Sequence, residues 1–163
     1  MVSIETLPIH QIDAVCTLAR TVWQATYPAL ISQAQIDFML ADRYAAARIA
    51  QQLDDPNQRW RIAQFDGVLG GFAHASFDLA ACKLDKLYVD PRYQRQGVGR
   101  ALFDDLVSHA RARGNTRLWL QVNRGNAQAI AAYKHYGFSI ERAQLFEIGG
   151  DFVMDDYVMA MAL

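Results

Sequence analysis

The chain has 163 residues, enough for one domain with a sizeable core. Hydrophobic residues make up 52% and charged residues 20%, and the formal net charge is −1, which excludes a disordered chain and a broadly basic, nucleic-acid-binding surface. Cys16 and Cys82 form no CxxC and join no His/Cys cluster, so neither a metal site nor a disulfide scaffold is expected.

Val2 to Leu7 alternates loosely and reads as a short strand. Between Ile9 and Tyr27 the apolar residues Ile12, Val15, Cys16, Ala19, Val22 and Trp23 recur at helical spacing, and Pro28 ends the run. The start, "MVSIETLPIHQIDAV", has no basic n-region and no long apolar h-region, and no apolar run approaches the roughly 18 to 20 residues of a membrane helix. A cytoplasmic protein with no membrane partner is the expectation. Ser32 is placed to cap a helix through Leu40, and a further helix spans Tyr44 to Leu53, closed by "DDPN".

The period then changes. "RWRIAQF" (Arg59 to Phe65) alternates in twos, and Asp66-Gly67 is a strong hairpin signal before the returning strand Val68 to Phe77. Cys82 to Val89 is another strand, ended by Asp90-Pro91. From Gly97 to Arg113, Val98, Leu102, Leu106 and Ala110 line one helix face, with Gly114 as the C′ residue. Arg117 to Val122 is a buried strand. Asn126 to Tyr136 is a helix stopped by Gly137, and Phe138 to Glu147 and Asp155 to Leu163 form a last pair of strands. The strand–helix–strand unit from Cys82 to Val122 implies a parallel crossover, and the hairpins imply antiparallel neighbours, together a mixed three-layer α/β domain.

Gly97 and Gly99 stand where a strand hands over to a helix, in "YQRQGVGRAL" (Tyr93 to Leu102). A helix N-terminus leaves its first amides unpaired and carries partial positive charge, and glycines let an anion approach them. Arg95 and Arg100 add charge. The string is not a P-loop, since no G-x-x-x-x-G-K-[ST] exists. It is a poor dinucleotide loop, since Gly97-x-Gly99 continues to Leu102 where the third glycine belongs.

"LDKLYVDPRYQRQGVGRALFDDL" (Leu84 to Leu106) resembles the acetyl-CoA-binding motif Q/R-x-x-G-x-G/A of the GCN5-related N-acetyltransferase (GNAT) superfamily, met by Gln94, Gly97 and Gly99. "LQVNRGNAQAIAAYKHYGF" (Leu120 to Phe138) resembles its later motif, an Asn followed by A-x-x-x-Y-x-x-x-G-F. The two blocks have the family's order and separation, and the resemblance covers the chain from about Arg59 to the end. It implies that residues 1–163 are a single N-acetyltransferase domain with the acyl-CoA N-acyltransferase fold. That fold is α/β, with a mixed, mostly antiparallel sheet of six to seven strands and helices on both faces. It implies acetyl-CoA as cosubstrate and no metal. The amides of Arg95, Gln96, Gly97, Val98, Gly99 and Arg100 would hold the pyrophosphate. Leu87, Tyr88 and Val89 would bond the pantetheine arm as an added strand, Asn126 would bond cofactor atoms nearby, and Tyr133 would sit near the thioester sulfur. In the family this strand splays from the next one, leaving a V-shaped slot.

The implied reaction is direct attack of an amine on an acetyl thioester. A lysine-like amine has a pKa of about 10.4, so holding it neutral at pH 7 costs about 4.6 kcal/mol. A desolvated site, a water chain or a carboxylate must offset this. A backbone amide near Leu87 to Val89 suits the oxyanion, and the Tyr133 phenol suits the leaving thiolate. Many relatives carry a glutamate base in "E-L-x-x-L-Y-V"; that position here is Lys83, a cation. Asp85 is the nearest carboxylate. It shares a strand side with Lys83 and Leu87 unless a bulge intervenes, and its open roles are base, substrate anchor, or ion-pair partner of Lys83 or Lys86. His74 reads as a satisfied structural histidine, His109 and His135 as solvated, and Ser108 has no Ser/His/Asp arrangement around it.

For the acceptor, "TVWQATYPALISQAQIDFML" (Thr21 to Leu40) and "GGDFVMDDYVM" (Gly149 to Met159) are similar to a subgroup that includes bacterial polyamine acetyltransferases. Asp151, Asp155 and Asp156 can attract a polycation. A small primary amine such as a polyamine is the leading expectation. A protein N-terminus or lysine, and a non-catalytic acyl-CoA-binding module, are the alternatives. A homodimer, frequent in the family, is left open.

Overall fold

A computed structural model describes residues 1–163. β1 (Val2–Thr6) leads through a 3₁₀ turn at Ile9–Gln11 into α1 (Ile12–Thr26), whose Ile12, Val15, Cys16, Ala19, Val22 and Trp23 form one buried stripe. α2 (Gln33–Arg43) starts where Ser32 was expected to cap it: the Ser32 Oγ accepts from the Gln35 amide at 3.2 Å, a bond worth about 1 kcal/mol. Tyr44 ends α2 instead of opening the next helix, because its ring is buried edge-on against Trp23 and Phe72. α3 therefore begins at Ala46 (Ala46–Leu53).

β2 (Gln58–Phe65) and β3 (Val68–Phe77) are joined by Asp66 and Gly67, both at positive φ (50° and 80°), which matches the twist of the flanking strands. β4 (Ala81–Val89), α4 (Val98–Ala112) and β5 (Arg117–Asn123) form the expected crossover, with β4 and β5 parallel. α5 (Ala127–Tyr136) then leads to the last hairpin, β6 (Ser139–Gly149) and β7 (Phe152–Ala162). This hairpin is longer than its sequence pattern suggested. Gly149, Gly150 and Asp151 make the turn at positive φ, and Phe38 of α2 packs so close to Gly150 that an added Cβ would come within 2.9 Å of its ring. Phe152 packs against the same ring, tilted, with the centroids 5.4 Å apart. The hairpin tip is thereby docked on α2, which aims the start of β7 toward that helix.

The seven strands run β1-β2-β3-β4-β5-β7-β6, all antiparallel except β4–β5. One core lies between the sheet and α1–α3, with Trp23, Ile36, Met39, Trp60 and Phe72. The other lies against α4, with Leu84, Leu102, Leu106, Leu118 and Leu120. No helix is long and apolar enough to cross a membrane.

Candidate active site

β4 and β5 pair only through Ala81, Cys82 and Lys83 with Arg117, Leu118 and Trp119, and then part. A bulge in β4 accompanies the parting. Leu84 sits opposite Ala75 and Lys86 opposite His74, so Asp85 is the extra residue. Such a bulge bends and twists its strand. It also changes the faces: Cys82 and Leu84 point into the α4 core, and after the bulge Leu87 and Val89 do. Asp85 and Leu87 thus lie on opposite faces, because the bulge that breaks the alternation is present. Asp85, Lys86 and Tyr88 face α1–α3. The gap between the strands opens a cavity of about 410 Å³ that reaches both faces of the sheet.

At the α4 end the cavity is walled by the glycine turn. Gly97 is the N-cap of α4 at φ 83°, ψ 0°, and Arg95 also has positive φ, 61°. An added Cβ at Gly97 would meet nothing within 4 Å, so the glycine is required by the backbone angle and not by crowding. No amide from Arg95 to Arg100 donates to a backbone carbonyl, and the first such bond in α4 is Ala101 N–H to Gly97 O. Gln94, Arg95, Gly97, Gly99 and Arg100 line the cavity. Gln94 donates to the Val89 carbonyl at 3.3 Å, tying the turn to the end of β4. Gln96 and Val98 do not present side chains there: Gln96 donates to Arg92 O at 3.1 Å and Val98 is buried in the α4 core. The Arg100 guanidinium turns back onto Asp104 at 2.9 Å and lies over Tyr136. Leu87, Tyr88 and Val89 present the edge of β4 that β5 has left.

α5 closes the same end. Asn126 caps it by accepting from the Ala129 amide at 3.2 Å, which leaves its NH₂ group for a ligand. Tyr133 lies about two turns further on, on the same side of α5, in T-shaped contact with Phe138 at 5.7 Å. Both line the cavity. Burial pushes the Tyr133 phenol above its ordinary pKa, so it stays protonated.

Across the gap, Asp85 accepts from Lys86 at 2.6 Å, meets His74 Nδ1 at 3.1 Å and lies 3.5 Å from Lys83. His74 is buried, stacked on Trp60 at 4.7 Å, with Nε2 2.6 Å from Gln58 Oε1. Both ring nitrogens have polar neighbours, which is the structural placement expected of it, and burial lowers its pKa. Burial alone would raise the Asp85 carboxyl, but the His74 hydrogen bond and the Lys86 and Lys83 charges outweigh it and hold it well below the carboxylate range. A carboxylate so held is a poor proton acceptor at neutral pH, and the geometry is that of the ion-pair partner. Replacing Asp85 by Asn strands the buried Lys86 ammonium, and we expect a loss of about 3 kcal/mol in urea unfolding at pH 7. Because the folded pKa is depressed, this contribution is complete above the ordinary value of 3.8 and fades as pH falls through the folded one. The gap between variant and wild type should close only below pH 3.8.

The three aspartates of the last hairpin do not act together. Asp151 is in the turn, and Asp155 faces away from the cavity, 3.5 Å from Arg124. Asp156 alone lines the cavity; it is 3% exposed, and its Oδ1 has no hydrogen-bond partner. An unsatisfied buried acceptor costs about 1 to 3 kcal/mol. Burial, only partly offset by Gln121 and Arg43, raises its pKa to about 6. Trp23, Tyr27, Met39, Arg43 and Met154 complete this end, with the Tyr27 and Tyr88 hydroxyls 3.0 Å apart. Sequence reasoning did not single out Arg43 or Gln121; neither belongs to a recognisable pattern, and only the folding of α2 and β5 toward the gap reveals them.

Two parallel strands that part beside a glycine-capped helix N-terminus define the acyl-CoA N-acyltransferase fold. Residues 17–138 match the Acetyltransferase (GNAT) family, a span that takes in part of the first helices and stops before the last hairpin. The chain belongs to the GNAT acetyltransferase family. It is 30% identical over 152 residues to an uncharacterized N-acetyltransferase of Mycobacterium tuberculosis (strain ATCC 25618 / H37Rv), covering 93% of this chain and 97% of that one. It is 43% identical over 87 residues to the [ribosomal protein bS18]-alanine N-acetyltransferase of Escherichia coli (strain K12), a match spanning 51% of this chain and only 59% of that protein. In fold it is similar to the PaiA N-acetyltransferase of Thermoplasma acidophilum, whose crystal structure is a complex with coenzyme A. The TM-score is 0.88 at 21% identity, over 100% of this chain and 99% of that one.

Proposed function

We propose that the protein moves the acetyl group of acetyl-CoA directly to a primary amine. The observation that carries this reading is the opening between β4 and β5, which joins the bare amides of the glycine turn to the pocket under α1 and α2. The residues fit coenzyme A: the unpaired amides from Arg95 to Arg100 suit its diphosphate, the free edge of β4 at Leu87, Tyr88 and Val89 suits the amide-rich arm, and the spare Asn126 NH₂ can donate to it. That direction carries the thioester toward Tyr133 and the gap. The amine arrives from the other face, its nitrogen attacks the carbonyl carbon, and the carbon–sulfur bond breaks. A β4 amide between Leu87 and Val89 receives the developing oxyanion. A non-catalytic acyl-CoA-binding module would show coenzyme A affinity with no amine-dependent thiol release; measuring that release overturns one reading or the other.

The acceptor we propose is a small primary amine that carries an anionic group of its own. The dispersal of the three aspartates removes the support that a polyamine drew from the sequence. The acceptor end also holds Arg43, which enters none of the chain's ion pairs, while Lys83 and Lys86 share the single carboxylate Asp85. That charge pattern opposes a polycation and suits an amine directed to Asp156 with an anion directed to Arg43. In a panel of amines, an amino acid is expected to exceed spermidine at least about tenfold in kcat/KM, the factor that one modest charge interaction supplies. The opposite ranking would restore the polyamine. A protein N-terminus is the second reading, favoured by the 43% identity to an alanine N-acetyltransferase, and a peptide with a free N-terminal alanine belongs in the same panel.

A further inference from the structure

Resting on the N-acetyltransferase reading, we infer that Asp156 is the general base that takes the proton from the acceptor amine. Two carboxylates line the cavity, Asp85 and Asp156. Asp85 is paired with Lys86 and His74 and lies 3.5 Å from Lys83, so it already answers two cations and is a weak base for a third. The position that would carry a glutamate in many relatives is Lys83, which cannot accept a proton while charged. Asp156 is the reverse case: it is buried, it lines the cavity on the α1–α3 side, and its Oδ1 lacks any partner within the protein. That oxygen is covered as well as unpartnered, so a charged donor in the pocket meets it once the carboxyl turns toward the cavity. Tyr133 lies on the α5 side of the gap, so base and hydrogen-bond donor flank the reacting carbonyl from opposite faces of the sheet.

The protons balance as follows. The acceptor enters as an ammonium and gives one proton to Asp156. The neutral nitrogen forms the C–N bond. As the C–S bond breaks, the second N–H proton moves toward the Tyr133 oxygen while the phenol proton moves to sulfur, giving an amide, a thiol and unchanged Tyr133. Asp156 then releases its proton to water.

The groups that set the Asp156 titration come from every element around it: Arg43 from α2, Tyr27 at the end of α1, Lys83 from β4, Gln121 from β5 and Asp155 on its own strand. Burial raises its carboxyl to about 6, which places the base near the working pH. Two measurements test the inference. In ¹³C NMR of protein labelled at aspartate side chains, assigned by loss of its signal in Asp156→Asn, the carboxyl is expected to titrate near 6. An ordinary value near 3.8 would overturn the inference. In steady-state kinetics, wild-type kcat/KM for the amine is expected to fall as pH drops below this value. Asp156→Asn should lose about 10²- to 10³-fold at pH 7, within the range a positioned general base contributes. It should then regain activity about tenfold per pH unit as the amine deprotonates itself. The variant removes a buried charge, so a retained melting temperature separates lost chemistry from lost fold. An unchanged pH profile in a folded Asp156→Asn protein would overturn the base alone. A wild type that releases no thiol with any amine would overturn the N-acetyltransferase reading together with it.

Discussion

Tyr133→Phe is expected to lower kcat about 100-fold while leaving the affinity for acetyl-CoA unchanged. The ring is held by α5 and its contact with Phe138 at 5.7 Å, and phenylalanine keeps that packing. Only the hydroxyl is lost, so folding and cofactor binding should survive. The size follows from the task. A thiol has an ordinary pKa near 8.5, and burial pushes the Tyr133 phenol above 10. Full transfer to the thiolate would therefore run uphill by at least about 2 kcal/mol. The hydroxyl instead donates a hydrogen bond that strengthens as charge builds on sulfur, and passes its proton on only as it accepts another. Groups acting in this way contribute typically about 10²- to 10⁴-fold, and a relay that creates no phenolate belongs at the lower end. Because the phenol stays protonated, the wild-type rate should show no alkaline limb from Tyr133 below pH 10. Stopped-flow or steady-state thiol release, with isothermal titration for acetyl-CoA, reads both quantities. An undiminished kcat would remove Tyr133 from the chemistry.

Which parts of this site a reader of the sequence can see depends on whether they are set locally. The glycine turn is local: a strand pattern, two glycines and a helical stripe follow one another, and the αL angle of Gly97 needs nothing distant. Ser32 and the Asp66-Gly67 turn are legible for the same reason. The bulge at Asp85 is not local. It exists because β3 pairs with β4 in two registers, opposite Ala75 and then His74, and no residue within β4 announces the change. It decides that Asp85 and Lys86 share a face, and hence that Asp85 is locked in an ion pair. Asp156 is hidden by a related ambiguity. Adjacent strand residues point to opposite faces, so "DD" puts one aspartate in the cavity and one outside, and the pattern does not say which. The longer hairpin, with its turn at Gly149 to Asp151 packed on Phe38, makes Asp156 the inner one.

Gly97→Val is expected to weaken coenzyme A binding at least about 100-fold. Gly97 holds φ 83° at the N-cap of α4, and an L-residue there costs about 1 to 2 kcal/mol, more when β-branched. The chain can relieve that strain only by rotating the peptide planes on either side. Those planes carry the amides that face the cavity without backbone partners. A hydrogen bond to a charged group contributes about 1.5 to 3 kcal/mol, so misdirecting two of them loses roughly 3 to 6 kcal/mol of affinity. Gly114 supplies the matched control. It sits just beyond the other end of α4 at φ 86°, also with nothing within 4 Å of an added Cβ, and lies outside the cavity. Gly114→Val should therefore lose similar stability, a few degrees in Tm for a chain of this size, and bind coenzyme A as the wild type does. Acetylpantetheine, which lacks the diphosphate, should be turned over equally by wild type and Gly97→Val, because the rest of the slot is untouched. Equal coenzyme A affinities in Gly97→Val and Gly114→Val, measured by isothermal titration, would mean that the turn does not hold the diphosphate; a difference confined to Gly97→Val and to ligands carrying that group assigns it to these amides.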